Sequence, residues 1–141
     1  MFKILSDKIY SNKILAPIRE LSTNAFDAHV DCGKSDVPFD VKLPREDDMN
    51  FYIRDYGKGM SKQQIEELYT TYGYSSKSES DEFVGCLGLG SKSPFAYTNN
   101  FIVTSFYEGM CYRYNCYLVD GVPKINLLDE FETKEKSGVK V

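Results

Sequence analysis

The second half of the chain sets the tightest limit on its fold. Between residues 101 and 128 the runs FIVTSFY, CYRYNCYLV and KINLL follow one another, and DGVP separates the last two. The runs favour β-branched and aromatic residues, and DGVP is made of turn formers. Strands joined by breaks this short pair antiparallel, because a parallel pair needs a long crossover. A strand meander is predicted here. Upstream, FDVKL and FYIRD read as two more strands around the polar turn PREDDMN, and the closing SGVKV as the start of another. The run SDKIYSNKILAPIRELSTNAFDAHVDCG reads as a helix of about four turns that ends before Gly33. Ile14, Ile18, Leu21, Ala25 and Ala28 recur along it at helical spacing and form an apolar face. SKQQIEELYTTYG reads as a second helix with Ser61 as its N-cap, and Ser93-Pro94 as a further short helix start. Residues 74–82, YSSKSESDE, are polar, rich in Ser and flanked by Gly73 and Gly85, and read as a mobile loop. The order helix, two strands, helix, loop, helix, meander predicts an α+β two-layer sandwich. Its sheet is expected to be mixed but mostly antiparallel, with the helices on one face.

At 141 residues the chain is read as one domain, residues 1–141, long enough for a core without disulfides or metal. Its formal net charge of −4 argues against a nucleic-acid backbone as the main partner, which calls for a basic face. Cys32, Cys86, Cys111 and Cys116 lack C-x-x-C spacing, and His29 is the sole histidine. A zinc site is not expected, and the thiols are read as free, half-buried and held in a reducing compartment. The N-terminal MFKILSDKIY lacks the apolar run of a signal peptide, and no stretch approaches the ~20 apolar residues of a membrane span. A cytosolic protein is expected.

Three groups of residues bear on function. Glu20, Asn24 and Asp27 stand at i, i+4 and i+7 of the first helix, so their directions fall within about 60° of one another. This stripe is either a solvated helix face or a site for a hard cation. Amide and carboxylate oxygens suit Mg²⁺, and a carboxylate one turn away suits proton abstraction from water. In FYIRDYGKGM, Phe51, Ile53 and Asp55 share one face by strand alternation. Asp55 either caps a backbone amide in a strand-to-helix turn or accepts a ligand amine at the mouth of an apolar pocket. Gly57 and Gly59 let backbone approach a flat ring, and Met60 offers a soft apolar contact. The third group is VGCLGLGSKS, residues 84–93. Ser91 separates Gly90 from Lys92, so it is not a Walker A loop, and its glycines do not follow the Rossmann order. It is either a flexible turn or an anion cradle of main-chain N–H groups, helped by Lys92 and the Ser91 and Ser93 hydroxyls.

Taken in order, E-x-x-x-N-x-x-D-A, D-x-G-x-G-M and G-x-x-G-x-G behind a polar lid resemble the three boxes of the GHKL ATPases. That group includes gyrase B, Hsp90, histidine kinase and MutL proteins, and the resemblance runs from residue 14 to about residue 107. It implies the Bergerat-type fold and Mg²⁺·ATP as ligand. Glu20 is then the general base that polarises the attacking water, Asn24 the Mg²⁺ ligand, and Asp55 the acceptor for the adenine amine. Gly57, Gly59 and Met60 would line the base, and Gly85, Gly88 and Gly90, with Ser91 and Lys92, would contact phosphates. Asp27 supports the metal end, and Lys77 stands near a lysine common in the lid. One departure is visible: the family's late-strand Gly-Thr pair is Gly138-Val139 here, so the hydroxyl that supports the adenine-binding aspartate is missing. A serine or a water is the candidate substitute.

A narrower resemblance rests on MFKILSDKIYSNKILAPIRELSTNAFDAHV, GLGSKSPFAYT and the closing KSGVKV. These are similar to the N-terminal domain of the rIIA-type proteins of tailed bacteriophages, which are larger, membrane-associated infection proteins. The chain is therefore expected to be an excised or shortened ATPase domain in the cytoplasm of an infected bacterial host. Homodimerisation and membrane association are left to regions of a full-length protein. The implied activity is slow hydrolysis of ATP to ADP, since in the gyrase, Hsp90 and MutL branches a lysine from a following domain reaches the γ-phosphate. Two alternatives stand beside it: an ATP-driven conformational or dimerisation switch with little turnover, and a protein kinase of the histidine-kinase branch. Glu20 favours the hydrolase, because histidine kinases usually lack a carboxylate at that place.

Overall fold

The computed structural model describes residues 15–70 and 93–141. Helix α1 (Leu15–Asp31) buries Leu21 and Ala25 against Ile53, with Phe39, Phe51 and Val141 around them. The earlier part of the anticipated helix, residues 6–14, lies outside the described residues. At its other end α1 stops as expected. The Gly33 N–H donates to Val30 O at 3.1 Å and the Lys34 N–H to His29 O at 2.7 Å, a Schellman motif with Gly33 at φ 75°.

Strands β1 (Asp40–Lys42) and β2 (Tyr52–Arg54) follow, then α2 (Lys62–Thr70). Ser61 is the N-cap of α2 in a reciprocal box: its Oγ accepts the Gln64 N–H at 3.2 Å, and its own N–H donates to Gln64 Oε1 at 2.8 Å. The Ser93-Pro94 start is realised as a single 3₁₀ turn (Ser93–Ala96). The meander forms as β3 (Asn100–Tyr107), β4 (Met110–Val119) and β5 (Val122–Glu132). Its two hairpins turn on Glu108–Gly109 and Asp120–Gly121, with all four residues at positive φ, the geometry that matches strand twist. The last strand, β6 (Gly138–Lys140), is not an edge. The sheet runs β1-β2-β6-β3-β4-β5, with β6 between β2 and β3.

That insertion explains a departure from the expected mixed sheet. All described pairings are antiparallel. Since β6 is antiparallel to both neighbours, β2 and β3 run parallel to one another, but β6 fills the gap and no parallel ladder forms. The core has two parts. Ile65 and Tyr69 of α2 pack with Phe95, Val103, Tyr114 and Cys116, and the smaller cluster lies under α1. Val141 touches both, and it exchanges main-chain bonds with Ile53 at 3.0 and 3.1 Å. The thiols differ from expectation in burial. Cys32 is half-buried, but Cys111 and Cys116 are fully buried on β4, and burial pushes the Cys111 thiol up.

Candidate functional site

Asp55 follows directly on β2 and is only 8% exposed. Its Oδ1 accepts two main-chain donors, the Gly57 N–H at 2.9 Å and the Val139 N–H at 3.1 Å. Burial raises the carboxyl above its ordinary value, while the Gly57 and Val139 amides, His29 and Arg54 pull the other way. The amide-capping reading is therefore met, with both donors falling on Oδ1.

The backbone of this turn is held group by group. The Asp55 N–H donates to Val139 O at 2.8 Å, and Asp55 O accepts from Arg54 Nη1. The Tyr56 N–H donates to His29 Nε2 at 2.8 Å, and Tyr56 O accepts from Lys34 Nζ at 3.0 Å. The Gly57 N–H goes to Asp55 Oδ1, and Gly57 O accepts from the Ser137 hydroxyl at 2.7 Å. Six consecutive main-chain polar groups thus have six partners, drawn from α1 and the residues after it, β2, the Asp55 side chain, β6 and the segment before β6. Arg54 is buried between the Tyr56 and Phe106 rings, 4.3 and 4.5 Å from their centroids, and also donates to Lys136 O at 2.5 Å.

The glycines fit by space. A Cβ on Gly57 would lie 3.0 Å from Ala28 Cβ and 3.2 Å from Ala28 O, so the turn lies directly against α1. Gly59 sits at φ 80°, and a Cβ there would come within 2.3 Å of Phe106 O, so no other residue is accommodated without backbone movement. The Met60 N–H and C=O both engage Ser105 Oγ at 2.7 Å, and its side chain packs against the cluster around Ile65. Position 139 gives Asp55 its main-chain N–H and, as valine, no hydroxyl. Ser137, the serine beside it, gives its proton to Gly57 O rather than to Asp55.

The acidic stripe lies on α1, the helix against which Gly57 packs. Glu20, Asn24 and Asp27 are all half-buried, which sets them apart from the fully exposed Thr23 and Phe26 on the outer side. Glu20 Oε1 lies 3.6 Å from Arg19 Nε. Among the described residues no group of three or more His, Cys, Asp or Glu side chains is arranged to hold a metal. Lys77, Gly85, Gly88, Gly90, Ser91 and Lys92 lie outside the described residues. Ser93, at their border, is fully buried, and its Oγ has no hydrogen-bond partner among the described residues. Sequence reasoning missed His29 and Arg54. A lone histidine on the inner side of an amphipathic helix, and an arginine inside a strand that otherwise alternates, were the available signals.

The described structure defines a class: an α+β domain with helices over one antiparallel sheet and an acid-and-glycine turn packed against the first helix. The chain belongs to the histidine kinase-, DNA gyrase B-, and HSP90-like ATPase family, whose model matches residues 13–126. Over 88% of its length the fold is similar to the 43K ATPase domain of Thermus thermophilus gyrase B, solved in complex with an aminocoumarin. The TM-score is 0.52 and the identity 20%. The chain is also 36% identical, over 62 residues, to the mitochondrial pyruvate dehydrogenase (acetyl-transferring) kinase 1 of Saccharomyces cerevisiae. That match takes in 43% of this chain. The chain spans 31% of the gyrase chain and 16% of the yeast kinase. No described helix is long and apolar enough to cross a membrane.

Proposed function

We propose that this chain binds Mg²⁺·ATP and hydrolyses it slowly to ADP and phosphate. The observation that carries the reading is the Asp55 carboxylate, buried and fixed through Oδ1 by two main-chain donors. Its other oxygen is the acceptor for the exocyclic amine of adenine. Guanine presents a carbonyl there, so an acceptor would face an acceptor with no proton between them. Gly57, Gly59 and Met60 flank the base. Asn24 would hold the Mg²⁺, which would supply positive charge at the phosphate oxygens. Glu20 takes the proton of the water that attacks the γ-phosphorus, as the bond to the ADP oxygen breaks. Lys77, Gly85, Gly88, Gly90, Ser91 and Lys92 are assigned to the phosphates on the resemblance alone.

The finer reading is of a domain from a phage rIIA-like infection protein in the cytoplasm of an infected host. Its support is the similarity of the two long segments and the closing KSGVKV. Dimerisation and membrane attachment belong to further parts of such a protein. A second reading, phosphoryl transfer to a protein, is favoured by the likeness to the yeast kinase. Glu20 argues for water as the acceptor. Thermal unfolding with ATP, ADP and GTP, with and without Mg²⁺, tests binding. Adenine nucleotides at a hundred times Kd should add about 2.7 kcal/mol of stability. Phosphate release should run well below ~10 s⁻¹. No stabilisation by any adenine nucleotide contradicts the reading.

A further inference from the structure

We infer that His29 and Lys34, at the C-terminal end of α1, are positioning residues that set base selectivity by clamping the Tyr56 main chain; this rests on the ATP reading above. His29 is 1% exposed and uses both ring nitrogens. Nε2 faces the Tyr56 N–H at 2.8 Å and must accept, so Nδ1 carries the proton and donates to Val37 O at 2.9 Å. Edge contacts to the Phe39 and Tyr56 rings, at 6.0 and 6.3 Å between centroids, fix the imidazole plane. Lys34 is tied to the helix end through its own N–H on His29 O, and its Nζ reaches Tyr56 O at 3.0 Å. The helix end therefore grips residue 56 at both its N–H and its C=O.

Residue 56 lies between the acid and the amide that orients it. Rotation of either peptide flanking Tyr56 moves the Gly57 N–H, which holds Asp55 Oδ1, or moves Asp55 itself. An apolar side chain at position 29 would fill the same space, but it would leave the part-buried Tyr56 N–H without this acceptor. The clamp also joins the two ends of the site. Glu20 and Asn24 stand on the same helix as His29, and Glu20 is about 14 Å along its axis from the clamp. Loss of the clamp should therefore alter how the base is read while leaving the phosphate end as it was.

The test uses the 141-residue chain and titration calorimetry with Mg²⁺·ATP, Mg²⁺·GTP and Mg²⁺·tripolyphosphate. Lys34→Met and His29→Leu should each weaken ATP about tenfold, narrow the ATP-over-GTP preference, and leave tripolyphosphate binding unchanged. Lys34→Arg restores the Nζ-side donor and His29→Gln an acceptor for Tyr56, so both should recover most of the preference. Lys34 is half-buried at the surface, so its variant remains informative if His29→Leu does not fold. A wild type that prefers ATP, with variants that keep the same preference, overturns the clamp alone. Equal losses for ATP and tripolyphosphate also overturn it, since they mark a general loss of structure. A wild type that binds no nucleotide overturns the ATP reading and the clamp with it.

Discussion

The two acidic stations of this domain are built in different ways. The Asp55 turn takes its partners from far along the chain: His29 is 27 positions away, Ser137 is 80 from Gly57, and Val139 is 84 from Asp55. The stripe of Glu20, Asn24 and Asp27 is placed by the pitch of one helix, and the ion pair of Glu20 is with its immediate neighbour Arg19. Rotating either peptide that flanks Tyr56 breaks two hydrogen bonds, one of them buried, and leaving a buried partner unsatisfied costs about 1–3 kcal/mol. Among the described residues Glu20 shows no such long-range bond. On the proposed reading this is a division of labour: the folded domain sets selectivity for the base, and the chemistry awaits the phosphates and the metal.

Removing the chemical group should produce the largest effect. Glu20→Ala is expected to lower phosphate release by at least about a hundredfold and to leave ATP affinity near wild type, because a general base acts on water rather than on the bound nucleotide. Asn24→Ala should instead weaken only the Mg²⁺-dependent part of binding. Wild-type turnover in Glu20→Ala would reduce the stripe to a solvated helix face and end the comparison.

A smaller effect is expected at the preset station, and it sharpens the contrast. Asp55→Asn keeps an oxygen for the Gly57 and Val139 amides but turns an amine donor toward the adenine amine. ATP affinity should fall by about 1.5–3 kcal/mol. Folding should not suffer in step. Burial holds the wild-type carboxyl above its unfolded value of 3.8. Its contribution to stability is therefore full below the unfolded value and is lost as pH rises through the folded one. At neutral pH the Asn variant should be at least as stable as wild type, and the gap should close on acidification. An affinity loss matched by an equal loss of stability at neutral pH would show that Asp55 is structural first.

Much of this architecture is legible in the sequence where the signal is local. Gly33 ends α1, Ser61 caps α2 with Gln64 three residues on, and the alternating runs become β3, β4 and β5. The spacing of Glu20, Asn24 and Asp27 places them on one stripe because helical pitch is a local property. What stayed hidden is non-local. SGVKV reads as the start of a strand, but nothing in five residues says that it enters the sheet between β2 and β3, pairing Lys140 with both Arg54 and Thr104. The insertion delivers the Val139 amide to Asp55. His29 and Arg54 were hidden for the same reason. Their roles are fixed by partners 27 and 82 residues away, and composition argues only that a lone histidine makes zinc improbable.

The central claim of the proposed function is that the Asp55 turn is assembled before any nucleotide arrives. Amide hydrogen exchange at Tyr56, Gly57 and Val139 tests it most directly, measured on the nucleotide-free chain and again with Mg²⁺·ATP. All three N–H groups are bonded within the protein, to His29 Nε2 or to Asp55 Oδ1. The account predicts slow exchange at all three without nucleotide, close to that of the paired amides of β3 and β4, and little further slowing with ATP. Fast exchange at these amides in the free protein, slowed only when ATP is added, would contradict it.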